Sequence, residues 1–258
     1  MNKQTIVITG SSRGIGLGLA SEFLRLGHQV VINGRSEEVL SRTVSELVKI
    51  SKDVIGVPGS ISDNKTHFKI IENCTSNFGK IDIWINNAGI PQPYKQFIDL
   101  DITDLKNIID INIFGLVSGT QIALKQMILQ GHGKIFNLEG LGSDGRIMNK
   151  LGLYGTSKRA VQYFSKSVSK ELKEENIRVG ILSPGMVKTD FLKESMTKGD
   201  SAEQKRTRKV LDILAEDLDV VTGFLVKKIL KSTKQYDRIE YLTFRRLFPK
   251  LLKLMFVR

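Results

Sequence analysis

Short apolar runs rich in β-branched residues recur along the chain at Thr5–Thr9, Gln29–Asn33, Val54–Pro58, Ile81–Asn86, Lys134–Leu138 and Arg178–Ser183. Between them the apolar positions take helical spacing, as Leu17, Leu19, Ala20, Phe23 and Leu24 do after the first run. Near-continuous apolar strands alternating with amphipathic helices predict a parallel sheet covered on both faces. A seventh strand near Arg238–Leu242 would complete it. The expected fold class is therefore α/β: a doubly wound, seven-stranded parallel sheet with helices on both faces. No repeat, low-complexity tract or long linker divides the 258 residues, so 1–258 reads as a single domain with a sizeable core.

The first strand runs into Gly10-Ser11-Ser12-Arg13-Gly14-Ile15-Gly16 and then directly into the first helix. Glycines let a backbone turn tightly and approach a pyrophosphate, while the free N–H groups and dipole of the helix N-terminus favour its negative charge. This strand–turn–helix unit predicts a Rossmann-type dinucleotide site touched by Gly10, Ser12, Arg13, Gly14, Ile15 and Gly16. The end of the second strand selects the dinucleotide: a carboxylate there would bind a ribose hydroxyl, and an arginine would accept a 2′-phosphate. The chain reads Asn33-Gly34-Arg35-Ser36, with no carboxylate before Glu37. Arg35, with Arg13 as a second planar guanidinium, favours NADP(H) over NAD. The alternative is that both arginines are solvated surface residues.

Tyr154 and Lys158 stand four apart on a predicted helix and so share one face. A free phenol titrates near ~10, too high for proton transfer at neutral pH, and a fixed cation beside it lowers that value. Lys158 is expected to tune and Tyr154 to carry the proton.

Thr9-Gly10-x-x-x-Gly14-x-Gly16, Asn86-Asn87-Ala88-Gly89, Asn112, Tyr154-x-x-x-Lys158 and Ser183-Pro184-Gly185 together resemble the ordered motifs of the short-chain dehydrogenase/reductase family, over about Lys3 to Gly185. The resemblance implies that Asn87, Ala88 and Gly89 support the cofactor and that Asn112 holds a proton-relay water. It also implies that Pro184, Gly185, Val187 and Thr189 lie at the nicotinamide end, that Tyr154 and Lys158 also touch the cofactor, and that the protein is a homodimer or homotetramer. One part of the pattern departs: where the family carries a Ser-Ser pair after the fifth strand, the chain reads Glu139-Gly140. Losing that hydroxyl removes an oxyanion donor of the kind worth roughly 2–4 kcal/mol. Ser143 is the expected replacement; otherwise Tyr154 acts alone or the protein is a degenerate binder. Phe136–Gly145, with its acidic-Gly-x-Gly-Ser run, is similar to the catalytic segment of chlorophyll(ide) b reductases, as are Ser183–Asp190 and Tyr241–Thr243. What this implies is NADPH-dependent reduction of an aldehyde or ketone on a bulky apolar substrate. A second reading is a catalytically weak NADP(H) sensor or scaffold.

The remaining features narrow the setting. Cys74 is the lone cysteine, which excludes an internal disulfide and fits a reducing cytoplasm, and His28, His67 and His132 have no ligand spacing, so no metal is expected. No apolar run is expected to span a bilayer, and Met1–Gln4 enters the first strand directly, so no signal peptide is expected. The net charge is +12, and Lys205–Lys209 forms a cationic run, read as part of a substrate lid over 186–220 rather than as a nucleic-acid site. Residues 241–258 carry Arg245, Arg246, Lys250, Lys253 and Arg258 among large apolar residues, with no acid. Such a segment fits peripheral contact with an anionic membrane, or packing on the body or a partner subunit while the charges stay wet.

Overall fold

Strands that are near-continuously apolar must be covered on both sides, and alternate side chains of one strand point to opposite faces. In the computed structural model, which describes residues 2–173, 175–190 and 213–255, this is what the six long runs do. The elements are β1 (Thr5–Ile8), α1 (Gly14–Arg25), β2 (Gln29–Gly34), α2 (Glu37–Val48), β3 (Val54–Pro58), α3 (Asn64–Phe78) and β4 (Ile83–Asn86). Next come α4 (Ile102–Ile109), a π-helical turn (Asp110–Gly115) and α5 (Leu116–Gln130). The remainder is β5 (Gly133–Leu138), α6 (Gly152–Glu171), β6 (Ile177–Ser183), α7 (Leu218–Lys231), β7 (Arg238–Glu240) and α8 (Phe244–Met255). All seven strands pair in parallel in the order β3-β2-β1-β4-β5-β6-β7. The expected fold class is the one observed. The seventh strand is shorter than its apolar run because Thr243 N–H turns back to the Tyr241 carbonyl (3.0 Å).

One face of the sheet contributes Ile6, Ile8, Ile32, Ile83 and Ile85 to a core closed by Phe23 and Leu19 of α1 and Val221 and Leu225 of α7. The other contributes Val7, Val31, Trp84 and Ile135, closed by Ile70 of α3 and Met127 of α5. Each large side chain so buried contributes about 1.5–3 kcal/mol. A buried polar chain crosses the second layer. Trp84 Nε1 donates to Asn86 Oδ1 (2.7 Å), Asn86 Nδ2 donates to Thr120 Oγ1 (2.9 Å) and Asn137 Oδ1 (2.8 Å), and Asn137 Nδ2 donates to Ser165 Oγ (2.8 Å). With every partner supplied, the network fixes β4 and β5 against α5 and α6 rather than merely costing desolvation.

Two expectations change here. The helix from Ile102 to Gln130 is long and apolar enough to cross a bilayer by length and composition, contrary to the expectation that no such run exists. Half of its most apolar window is buried, and α5 packs on α3 and the sheet, which accounts for the apolar content. Of the expected lid, residues 191–212 lie outside the described residues, and so does the Lys205–Lys209 run. The two ends of that segment are joined: Lys188 N–H donates to the Glu216 carbonyl (2.9 Å) and Glu216 N–H to that of Met186 (2.9 Å).

Candidate active site

Strand order reverses between β1 and β4, and the carboxyl ends of the strands open a crevice there, the usual place for a ligand in such a sheet. The crevice is lined at one end by Gly10, Ser12, Arg13, Gly14, Ile15 and Arg35, in the middle by Asn87, Ala88, Gly89, Tyr154 and Lys158, and beyond them by Pro184, Gly185, Val187 and Thr189. Gly16 stands behind this wall, packed on the Asn87 side chain.

The turn at the β1 end is held by the fourth strand's motif. Asn87 Nδ2 donates to the carbonyls of Thr9 (2.9 Å) and Gly10 (2.8 Å), while Thr9 Oγ1 accepts from the amides of Asn87 (3.1 Å) and Ala88 (3.2 Å). Gly10 has a φ of +59°, and a Cβ there would lie 2.6 Å from Ala88 Cα, so only glycine lets the two segments touch. Asn33, buried, accepts from Gly10 N–H (3.3 Å) and donates to the Val57 (3.0 Å) and Gly59 (3.1 Å) carbonyls, tying β2 and β3 to the turn. Arg13 occupies the N-cap of α1, and a guanidinium has no acceptor to offer. The first amides of α1 are thus left facing the crevice, where the helix dipole favours an anion. This cradle fits a dinucleotide pyrophosphate, and Arg13 and Arg35, both exposed, flank it.

The start of α6 is fixed by Gln92, a residue the sequence did not single out. Its Oε1 accepts from Tyr154 N–H (3.0 Å) and its Nε2 donates to the Lys150 carbonyl (2.8 Å). Lys158 Nζ donates to the Leu138 carbonyl (3.1 Å) at the end of β5 and lies 5.7 Å from the centre of the Tyr154 ring. Both side chains are buried. Burial dominates their titration: it pushes the Tyr154 phenol above its ordinary value and brings the Lys158 ammonium down to about 8, partly countered by the charge of Glu139. The net position of the phenol is therefore above its ordinary value rather than below it, because burial without solvent dominates.

Asn112 sits in the π-helical turn, where an inserted residue swings a side chain out of register. Its Oδ1 accepts from Ile90 N–H (2.8 Å), and its Nδ2 donates to the Ile90 carbonyl (3.0 Å) and Ser157 Oγ (3.3 Å). A Cβ at Gly89 would stand 3.3 Å from Asn112 Oδ1 and 3.6 Å from Lys158 Nζ, so both polar groups converge on one glycine.

Gly140 is where the absent serine matters. A Cβ built there would overlap the Tyr154 hydroxyl, so the phenol leans into the space a side chain would take. Ser143 does not fill that space. The chain turns back after Gly140, with Ser143 N–H donating to the Gly140 carbonyl (3.1 Å), and Arg159 Nη1 binds the Ser143 carbonyl (2.8 Å). Ser143 is buried and is not among the crevice-lining residues, which corrects its expected role. What reaches the crevice instead is Glu139, only 3 % exposed, whose carboxylate pairs with Arg238 Nη2 (2.6 Å) of β7. The far end is apolar: Leu151 is buried against Tyr94, Leu141 and Met186.

Comparisons with known proteins agree with this geometry. The short chain dehydrogenase family model matches residues 4–200. A chloroplastic chlorophyll(ide) b reductase from Arabidopsis thaliana is 36% identical over 230 residues, covering 87% of this chain and 64% of that protein, so the chain spans under two thirds of this relative's length. The corresponding Oryza sativa protein is 36% identical over 247 residues, covering 93% and 70%. The structure of a 3-ketoacyl-(acyl-carrier-protein) reductase from Brucella melitensis, solved with NADH, superposes with a TM-score of 0.81 at 25% identity, covering 94% of this chain and 98% of its own. A short chain dehydrogenase from Burkholderia cenocepacia, solved with NADP, gives 0.77 at 23%, covering 92% and 96%. Motifs, sheet order and crevice together make the chain a member of the short-chain dehydrogenase/reductase family, within its chlorophyll(ide) b reductase-like group.

Proposed function

We propose that this oxidoreductase is an NADP(H)-dependent carbonyl reductase acting on a bulky apolar aldehyde or ketone, of the kind that chlorophyll(ide) b represents. The observation that carries the reading is the Tyr154 hydroxyl lying over Gly140, next to Lys158 and at the boundary between the polar and the apolar ends of the crevice. A bound reduced nicotinamide supplies the hydride. Tyr154 passes its proton to the carbonyl oxygen as charge develops there, and an alkoxide is basic enough to take it even from a phenol of raised pKa. Lys158 is the cation that steadies the phenolate left behind. Asn112 and Lys158, converging at Gly89, would return a proton through water.

Two features support the coenzyme choice: Arg13 and Arg35 flank the cradle, and no carboxylate stands between Asn33 and Ser36. The chain is expected to oxidise NADPH with a kcat/KM at least tenfold above that for NADH, and Arg13→Ala/Arg35→Ala to erase the difference. Tyr154→Phe should abolish turnover and leave NADPH affinity nearly unchanged. One observation favours a second reading, a weak NADP(H) sensor or scaffold: Gly140 supplies no side-chain oxyanion donor. Absorbance at the NADPH band with a panel of bulky aldehydes and ketones separates them, because tight NADPH binding without turnover would support the sensor.

A further inference from the structure

An amphipathic helix at a protein surface normally turns its apolar stripe inward and its charges to water. Two of the cations of α8 instead face the body, while three of its described apolar side chains face water. Arg246, half-buried, stacks between the rings of Phe224 (4.4 Å to the centroid) and Tyr241 (4.2 Å) and donates from Nη1 to the Tyr241 carbonyl (2.8 Å). One turn on, Lys250 donates to the Leu214 carbonyl (3.0 Å) and pairs with Glu216 (2.7 Å). Cationic residues thus dock the helix. Facing away are Phe244 (73% exposed), Phe248 (50%) and Leu252 (43%), which repeat every four residues and form one stripe, the two rings 5.9 Å apart. Three large apolar side chains aligned in water carry a standing free-energy cost.

We propose that this stripe is a docking surface for the anionic face of a lipid bilayer, with Phe244, Phe248 and Leu252 entering the headgroup boundary. Charge selects this occupant. Arg245 is exposed beside Phe244, Lys228 is exposed on α7 with its Nζ 5.8 Å from the Phe224 ring, and besides the inward-facing Arg246 and Lys250 the segment Tyr241–Arg258 carries Arg245, Lys253 and Arg258 and no acidic residue. A second copy of so basic a segment would be repelled, whereas an anionic surface attracts it. The same helix grips Glu216, whose backbone pairs with Met186 and Lys188 beside the crevice-lining Val187. Seating α8 on a bilayer would therefore tie the lipid-facing helix to the crevice wall through Lys250, Glu216 and Val187. The inference goes beyond the proposed reductase activity and does not depend on it.

The test is sedimentation of the full chain with phosphatidylcholine vesicles containing none or about a third phosphatidylglycerol. Pelleting with the anionic vesicles only is expected. The variant Phe244→Ser/Phe248→Ser/Leu252→Ser should bind at least tenfold more weakly with an unchanged thermal melt. Should that variant fold poorly, Phe248→Trp gives an independent readout, a blue shift of its indole emission on adding anionic vesicles. Wild-type protein that stays in the supernatant, equal pelleting of the triple variant, or an unshifted emission from Phe248→Trp overturns the proposal. So does a triple variant whose only change is dissociation of an oligomer, which would assign the stripe to a second copy.

Discussion

Lys158 pays for its position with solvation, and the sign of that cost fixes two pH dependences. Its ammonium titrates at about 8 when folded, against 10.5 ordinarily. The unfolded chain therefore binds this proton more readily, and between about 8 and 10.5 stability rises with pH; below that window the whole penalty is present. Lys158→Met is expected to raise unfolding free energy at pH 7 by on the order of 1–3 kcal/mol while removing turnover, as denaturant titration and NADPH oxidation would report. Turnover that requires the protonated amine should fall as pH rises through about 8. Glu139 opposes the loss of that charge, so Glu139→Gln should move the fall to lower pH. An unmoved profile would separate Glu139 from the proton chemistry. Neither direction was legible from Tyr154 and Lys158 as letters: four-residue spacing shows that two groups share a face, but not that both are dry.

At the scale of elements, the π-helical turn between α4 and α5 joins the site to the core. Asn112 satisfies both backbone groups of Ile90, and removing it takes the partner from a part-buried N–H and C=O, at roughly 0.5–1.5 kcal/mol for each bond. Asn112→Ala should lose about that much stability and much of its kcat, with NADPH affinity less affected. Asn112→Asp, which keeps the acceptor and loses the donor, should recover part of the stability. Strands β1, β2, β4, β5 and β6 were readable because burial on both faces leaves near-continuous apolar runs, and the β1–α1 turn because its glycines stand between a strand and a helix. Gln92 was not readable, since a lone glutamine carries no periodicity and its partners come from α6 and the loop before it. Ser143 was misplaced because the tight return at Gly140 is a matter of backbone direction, which the count of residues to Tyr154 does not reveal. The bilayer-length helix went unseen because Asn107, Asp110 and Asn112 interrupt it as a string, though not as an average.

The whole molecule is a sheet whose ligand end is assembled from turns far apart in sequence: after β1, β2, β4, β5 and β6. A ligand bridging those turns binds only the folded chain and so stabilises it. NADPH at a hundred times its Kd should add about 2.7 kcal/mol, a rise of several degrees in Tm. NADH at equal concentration should add less, and equal shifts would remove Arg13 and Arg35 from coenzyme selection. Exposed apolar residues on the outer helices, among them Ile102, Leu129 and Tyr163, fit the homodimer or homotetramer that the family resemblance implies, which sedimentation velocity would test.

The pairing of Glu139 with Arg238 reaches across β6 to the outermost strand, only three residues long. Edge strands fray first. Whenever β7 peels away, an anion previously neutralised is abandoned next to the one amine that the chemistry depends on, and that amine holds its proton more tightly. Wear at the rim of the sheet is thus transmitted to its centre as a change of acidity, alongside the loss of Ile239 from the hydrophobic layer.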